Sequence, residues 1–396
     1  MNSYQSKMNT LTQALGVLMV FALIFPTAVV NVALLLLLVS YFLSGNYAEK
    51  WRHIQTNPVA RISLLLFCLF MFGMVYTSAS FSDALGVLNT YRELILLPIA
   101  ISIFNQENWR RRAYYAFLIA IGLAVLLSFS MRLGWLPPGE TEQEWVPFKG
   151  RIAYGFFLGY AIYLMLHHAK SAATLIRRSA WLLFAALSSF VLLFLVSGRT
   201  GYAVFVAMVV LLLVQYRGWV KKYGLIIFLA LAALAGTALL TSPAMQSRYI
   251  DIDRAATNLE DSSLGQRLIF WKASLHIIAD HPLLGAGTGS FAEEFSKQVT
   301  DYPNLSSDNP HNEYLMIAAQ LGVIGLLSFI WLLYSQYRLA SNLPRLYSRA
   351  AQGLVIAMAV GCLFNSFLRD HGEGHFYAIY AGLLFSAFSS RSEASA

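Results

Sequence analysis

The stretch VLLFLVSGRTGYAVFVAMVVLLLV, residues 191–214, decides how this chain is read. Two apolar runs meet at a single cation, Arg199, with only Ser197, Gly198, Thr200 and Gly201 around it. Runs of this kind have membrane-spanning character, because a helix crosses the bilayer with about 20 apolar residues. An arginine costs about 2.5–3.5 kcal/mol at mid-bilayer and less toward the interface, so Arg199 needs a reason to be there.

Outward from this point the whole chain has the same character. Hydrophobic residues make up 58% of its 396 positions and charged residues 12%, against about 25% charged in a soluble domain, which excludes a soluble fold. About twelve spans are predicted, at 11–25, 27–44, 59–78, 82–104, 111–131, 151–169, 179–197, 200–216, 223–242, 311–334, 349–369 and 374–390. Asp83, Arg92 and Glu93 interrupt the fourth. The expected fold is an all-α polytopic membrane protein: residues 1–242 carry spans one to nine, 243–309 a long, partly helical loop, and 310–396 spans ten to twelve, as one integrated membrane domain. The N-terminal MNSYQSKMNTLTQALG lacks a small-residue cleavage pattern, so no cleavable signal is expected. Cys68 and Cys362 both fall inside spans and suggest neither a disulfide nor a metal site.

The basic residues set the orientation. Lys50, Arg52 and Arg61; Arg110, Arg111 and Arg112; Lys170, Arg177 and Arg178; Arg217, Lys221 and Lys222; and Arg338, Arg345 and Arg349 occupy alternate loops. These loops are expected on the cytoplasmic side, with both termini, and they account for most of the net charge of +8 without nucleic acid as a partner. Arg199 and the 243–309 loop then share the opposite face. A snorkelling anchor is one reading of Arg199. Its flanking glycines favour another, a guanidinium left uncovered where backbone can approach a ligand.

Within the long loop, LGQRLIFWKASLHIIADHPLLG sets Leu268, Trp271, Leu275 and Ile278 on one helical stripe. Ser262 or Ser263 suits its cap, and Pro282 and Gly285 its end. Arg267 lies at the edge of that stripe, either as a solvated charge or as a cation held over the membrane face. DHPLLGAGTGSF carries Gly285, Gly287 and Gly289 in a G-x-G-x-G spacing, which is not the dinucleotide fingerprint and reads as a tight turn. Asp251 and Asp253 form a D-x-D too unspecific to predict a metal.

SSDNPHNEYLMIAAQLGVIG opens span ten. Asp308 or Asn309 suits the cap and Pro310 the first helical position, placing His311 in the first turn. The positive end of the helix dipole disfavours an imidazolium, and a neutral imidazole can act as a general base, although an anionic substrate acts in the opposite direction. A polar interfacial anchor is the plainer reading. NSFLRDHGEGHFYA adds Arg369, Asp370, His371, Glu373 and His375 on the same outer face. His371 and His375 have helical metal-ligand spacing, against which Gly372 and Gly374 argue for a non-helical polar cluster. Arg92 and Glu93, adjacent on a helix, do not face each other, so each calls for a different partner.

His311-Asn312, nine residues, then Gly322-x-x-Gly325 resembles the histidine motif of the O-antigen ligase family, in a superfamily with O-antigen polymerases and protein O-oligosaccharyltransferases. The arginines in SGRTG and GQRLIFW, the span count and the long loop before the histidine are similar too. The resemblance implies a GT-C glycosyltransferase of the bacterial inner membrane, with its long loop periplasmic. It would need no metal, nucleotide or other cofactor. It implies transfer of O-antigen from undecaprenyl pyrophosphate to a sugar hydroxyl of lipid A–core, with His311 as general base and Arg199 and Arg267 catalytic. Arg199, Arg267, Arg369, Asn312 and Arg92 are the expected substrate-binding residues. The guanidinium fork suits a diphosphate and stays charged at any physiological pH. A polymerase or protein oligosaccharyltransferase shares these features; a lipid-linked glycan transporter is disfavoured by the unequal halves of the chain.

Overall fold

The computed structural model describes residues 3–139, 145–218, 221–222, 237 and 259–393. Among these the chain is helical, without a strand. The ninth predicted span (apart from position 237) and Asp251 and Asp253 lie outside the described residues. The chain forms two compact units, Met1–Phe117 with Gly265–Ala396, and Leu118–Leu264.

The first unit opens with α1 (Ser3–Ala22), α2 (Thr27–Leu43), α3 (Tyr47–Thr56), α4 (Pro58–Gly73), α5 (Phe81–Thr90) and α6 (Glu93–Ile103). Helix α4 starts where the sequence supplies both a cap and a preset turn: the Asn57 side chain accepts from the Val59 and Ala60 amides, and Pro58 takes the first helical position. Ser80 caps α5 by accepting from the Asp83 amide. The fourth predicted span is therefore two helices, broken at Tyr91 and Arg92 where its charges begin.

Helix α7 (Glu107–Arg132) leads into the second unit, which contains α8 (Arg151–Ser171), α9 (Leu175–Phe190) with a π turn at Val191–Leu195, and α10 (Arg199–Gln215). Here the glycines beside Arg199 have a different use from the one their sequence predicts. A Cβ at Gly201 would lie 2.7 Å from the Cα of Gly155, and one at Gly198 2.7 Å from the Arg151 carbonyl oxygen. They seat α10 against α8, the small-residue contact by which membrane helices approach closely.

The chain returns to the first unit with α11 (Ser263–Asp280), α12 (Phe291–Gln298), α13 (Glu313–Ala340), α14 (Arg345–Gly361) and α15 (His371–Glu393). Helix α15 packs on α6, and α13 packs on α4 and α14. Eleven of the twelve predicted spans overlap helices. By length and hydropathy alone, five stretches among the described residues suffice to cross a membrane: Phe81–Ile103, Glu107–Arg132, Arg151–Ser171, Leu175–Leu195 and Glu313–Ala340. The pair α2 and α3, bent by 112°, would make a sixth.

Helix α13 is broken inside the histidine motif. Gly322 sits at φ 61°, and the Pro282–Gly289 turn docks into the gap: Val323 donates to the Pro282 carbonyl at 2.9 Å, while Ala286 and Gly287 donate to the Ala319 and Gln320 carbonyls, each at 2.9 Å. A Cβ at Gly322 would stand 2.2 Å from the Leu283 carbonyl oxygen. Gly322→Ala is expected to destabilise the protein by about 2 kcal/mol or more, from left-handed backbone strain and steric overlap. A thermal-unfolding midpoint unchanged from wild type in detergent would contradict this.

Candidate active site

Four predicted site residues of the first unit, Arg267, His311, Asn312 and Arg369, gather around the start of α13. Asn312, rather than Asp308 or Asn309, is the cap: its Oδ1 accepts from the Leu315 amide at 3.1 Å. His311 therefore precedes the helix instead of lying in its first turn, at φ 52°. That conformation is uncommon for a side-chain-bearing residue and costs of order 1–3 kcal/mol. Asn309 secures it, since its Oδ1 accepts from the His311 amide at 2.8 Å and from the Ser366 hydroxyl at 2.7 Å.

Helix α11 supports the histidine from the side. Its Trp271 Nε1 donates to the Pro310 carbonyl at 3.1 Å, and the Phe270 ring lies 6.1 Å from the imidazole. The buried stripe of α11 differs from the one its sequence predicts. Ile269, Phe270, Ala273 and Ile277 are buried against Phe291, Phe295, Met316 and Ala319, while Trp271 and Ile278 pack at the margin. Leu268 and Leu275 are exposed. Residues 268–278 are apolar nearly all round, so periodicity left two stripes open and packing chose between them.

This rotation leaves Arg267 half-buried, with one guanidinium nitrogen 3.5 Å from the Asn365 Oδ1, a long hydrogen bond. Arg369 donates to the Asp308 carbonyl at 2.8 Å and pairs with the Asp308 carboxylate at 3.3 Å. Arg267, Arg369 and His311 are thus brought together around the 308–312 turn. The imidazole makes no hydrogen bond among the described residues. Partial burial lowers its pKa from 6.5, and so does the Arg267 charge; Asp308 opposes this, and Arg369 reinforces it. The cause differs from the helix dipole expected from sequence, but the direction is the same: the free site favours neutral imidazole. Asn312, by contrast, has its oxygen committed to the cap and is 7% exposed.

Glu313 is the residue that sequence reasoning missed. Fully buried, it accepts from the Tyr91 hydroxyl and from the Leu368 amide, both at 2.9 Å. It thereby ties the α5–α6 break and the 365–370 turn to the base of the histidine. The signal was an acid directly after His311-Asn312 at the head of an apolar run, where a carboxylate needs a partner. Glu313→Ala should destabilise the protein by about 1–3 kcal/mol for each buried donor left without its acceptor, here the Tyr91 hydroxyl and the Leu368 amide; an unchanged denaturation midpoint would count against the anchoring role.

Arg92 and Glu93 belong to another cluster. Arg92 lies 3.8 Å from Glu93 after all, because the chain breaks there, and it also donates to Asn89 at 3.3 Å. Glu93 pairs with the buried His375 Nδ1 at 3.0 Å. His371 and His375 stack at 4.2 Å on a regular helix despite Gly372 and Gly374, correcting the non-helical expectation. In the second unit, Arg199 opens α10 and donates to the Ser263 hydroxyl at 2.9 Å. A cation at a helix N-terminus opposes the dipole, so helix stability does not explain it.

The G-x-G-x-G turn is no phosphate cradle. Its amides are taken: Thr288 donates to the Gly73 carbonyl at 3.0 Å and Gly289 to the Gln320 side chain at 2.8 Å, besides the α13 contacts.

Residues 183–330 match the family model described as O-Antigen ligase. The resemblance carried by the histidine motif and the arginine contexts is therefore borne out. An uncharacterized protein of Haemophilus influenzae is 26% identical over 259 residues, covering 61% of this chain and 63% of that one. A putative polysaccharide ligase of Rickettsia conorii is 22% identical over 324 residues, 74% of this chain and 70% of that protein. The O-antigen ligase of Escherichia coli is 26% identical over 155 residues, 37% of this chain and 36% of its own length. The chain thus matches less than two thirds of the Haemophilus and Escherichia proteins. The O-antigen ligase-like segment holds Arg199, Arg267 and His311, and the apolar helices around it make this a membrane protein.

Proposed function

We propose that the protein is a GT-C-type glycosyltransferase with about twelve spans. In this reading it joins O-antigen from undecaprenyl pyrophosphate to a sugar hydroxyl of lipid A–core, at the periplasmic face of the inner membrane. One observation carries the reading: His311, inside the ligase-like segment, has an imidazole without a hydrogen-bonding partner among the described residues, disfavoured as a cation by burial and by Arg267.

In this mechanism His311 takes the proton from the acceptor hydroxyl as its oxygen attacks the anomeric carbon. The bond from that carbon to the phosphate oxygen breaks, and the pyrophosphate leaves with the electron pair. Negative charge grows on the leaving diphosphate, so Arg199 and Arg267 bind the transition state more tightly than the ground state. Attack opposite the leaving group inverts the anomeric centre. The product linkage should therefore have the configuration opposite to the donor's, read by the anomeric proton coupling; retention would contradict a single displacement.

The test of the function is the lipopolysaccharide of a strain lacking the protein. Core without polymer, and polymer kept on the lipid carrier, is the expected result. Core bearing a single repeat would instead mean a polymerase. The acid limb of kcat/KM reports the free enzyme. It should have its midpoint below 6.5, the direction in which burial and Arg267 move His311. By the same linkage, His311 contributes stability that is complete above pH 6.5 and lost as pH falls through its lower folded-state pKa. An acid limb centred above 6.5 would contradict the assignment.

A further inference from the structure

A cleft of about 410 Å³ opens beside the site, lined by Asp83, Gly86, Thr90, Asp308, Met316 and Arg369. Gly86 marks it out. It lies in the middle of α5, where glycine costs about 1 kcal/mol relative to alanine. A Cβ there would meet nothing within 4 Å, and the backbone is not left-handed. Neither packing nor backbone geometry asks for glycine at this position. Position 86 lines the cleft and leaves room there for a larger side chain.

The charges of the cleft exclude one kind of ligand. Arg369, the lone lining cation among the described residues, is about nine-tenths buried and is matched by Asp308 at 3.3 Å, while its Nε is buried without a partner among those residues. Two further carboxylates line the space. Glu293 is paired with Lys297 at 2.9 Å; Asp83 is engaged by the Ser80 hydroxyl at 2.6 Å. A phosphate placed here would meet a net negative wall. Sugar hydroxyls would find carboxylate acceptors, the Thr90 hydroxyl and the edge of Phe291.

We propose that this cleft is a sugar subsite for an unphosphorylated pyranose of the acceptor glycan. The proposal rests on the transferase reading given above. Asp308 and Arg369, which line the cleft, also build the turn that carries His311: Arg369 donates to the Asp308 carbonyl at 2.8 Å, and the next residue, Asn309, accepts from the His311 amide at 2.8 Å. A sugar held against Asp308 is thereby set beside the turn that presents the base.

Gly86→Trp fills the cleft without opposing the helix, and Gly86→Ala is its control. With purified protein, lipid-linked donor and core acceptor, Gly86→Trp should raise the acceptor KM at least tenfold and leave the donor KM unchanged. Gly86→Ala should match wild type. A rise in donor KM instead would give the cleft to the donor glycan, and no change in either would remove the subsite; both overturn the proposal. Calorimetric titration with dephosphorylated core oligosaccharide tests the cleft apart from turnover. Binding to wild type, weaker binding of the phosphorylated oligosaccharide and loss in Gly86→Trp support it. Equal binding to wild type and Gly86→Trp, or none to either, overturns it. Oligosaccharide binding by a wild-type protein that ligates nothing would sink the transferase reading and leave the subsite standing.

Discussion

His311→Ala is expected to lower the ligation rate by about 10²–10⁴-fold, the range that a positioned general base contributes. The protein should still accumulate and keep its donor affinity. The imidazole makes no hydrogen bond among the described residues, and the helix start behind it is held by Asn312, not by His311. Removing the ring therefore takes away chemistry more than structure. Relief of the φ 52° backbone would, if anything, favour His311→Gly over alanine for stability without restoring the rate. A purified alanine variant that ligates at the wild-type rate removes His311 from the mechanism.

Arg267→Ala should cost about 10²–10³-fold in kcat, the scale of one lost transition-state donor, with a smaller effect on donor KM. Arg199→Ala is expected to behave likewise. Lysine at either position keeps the charge and loses the fork, so it should recover only part of the loss. Arg267 also offers a second readout. Its charge helps to hold the His311 pKa down, so Arg267→Ala should move the acid limb of residual kcat/KM to higher pH. A rate loss with an unmoved limb would mean that Arg267 does not act on His311.

The helical plan of the molecule was legible because membrane helices advertise themselves by apolar length. The break in the fourth span was legible too, in the charges of Arg92 and Glu93. Details set by packing were not. Asn312 displaced Asp308 and Asn309 as cap, since Asp and Asn both cap well and only the fold decides which side-chain oxygen serves Ser366 and His311. Gly372 and Gly374 lie in a helix because burial of α15 against α6 outweighs their propensity; a Cβ at Gly374 would press on Glu93 at 3.1 Å. The glycines around Arg199 looked like room for a ligand and are a helix contact. For the candidate site, sequence singled out Arg267 as an unexpected cation, His311 as a neutral imidazole at a helix start and Arg369 as part of a polar cluster, all on one predicted face. Glu313 was passed over, because an acid at a helix start is ordinarily a surface feature, and the apolar run behind it was the one local sign of its burial.

In the proposed mechanism two guanidinium groups and one neutral imidazole act together on a lipid-linked diphosphate. An experimental structure with a lipid pyrophosphate-linked glycan bound tests it most directly. The account predicts Arg199 and Arg267 within hydrogen-bonding distance of the phosphate oxygens, and His311 on the opposite side of the anomeric carbon. Phosphates held by other residues, with Arg199 or His311 remote from the reacting sugar, would contradict it.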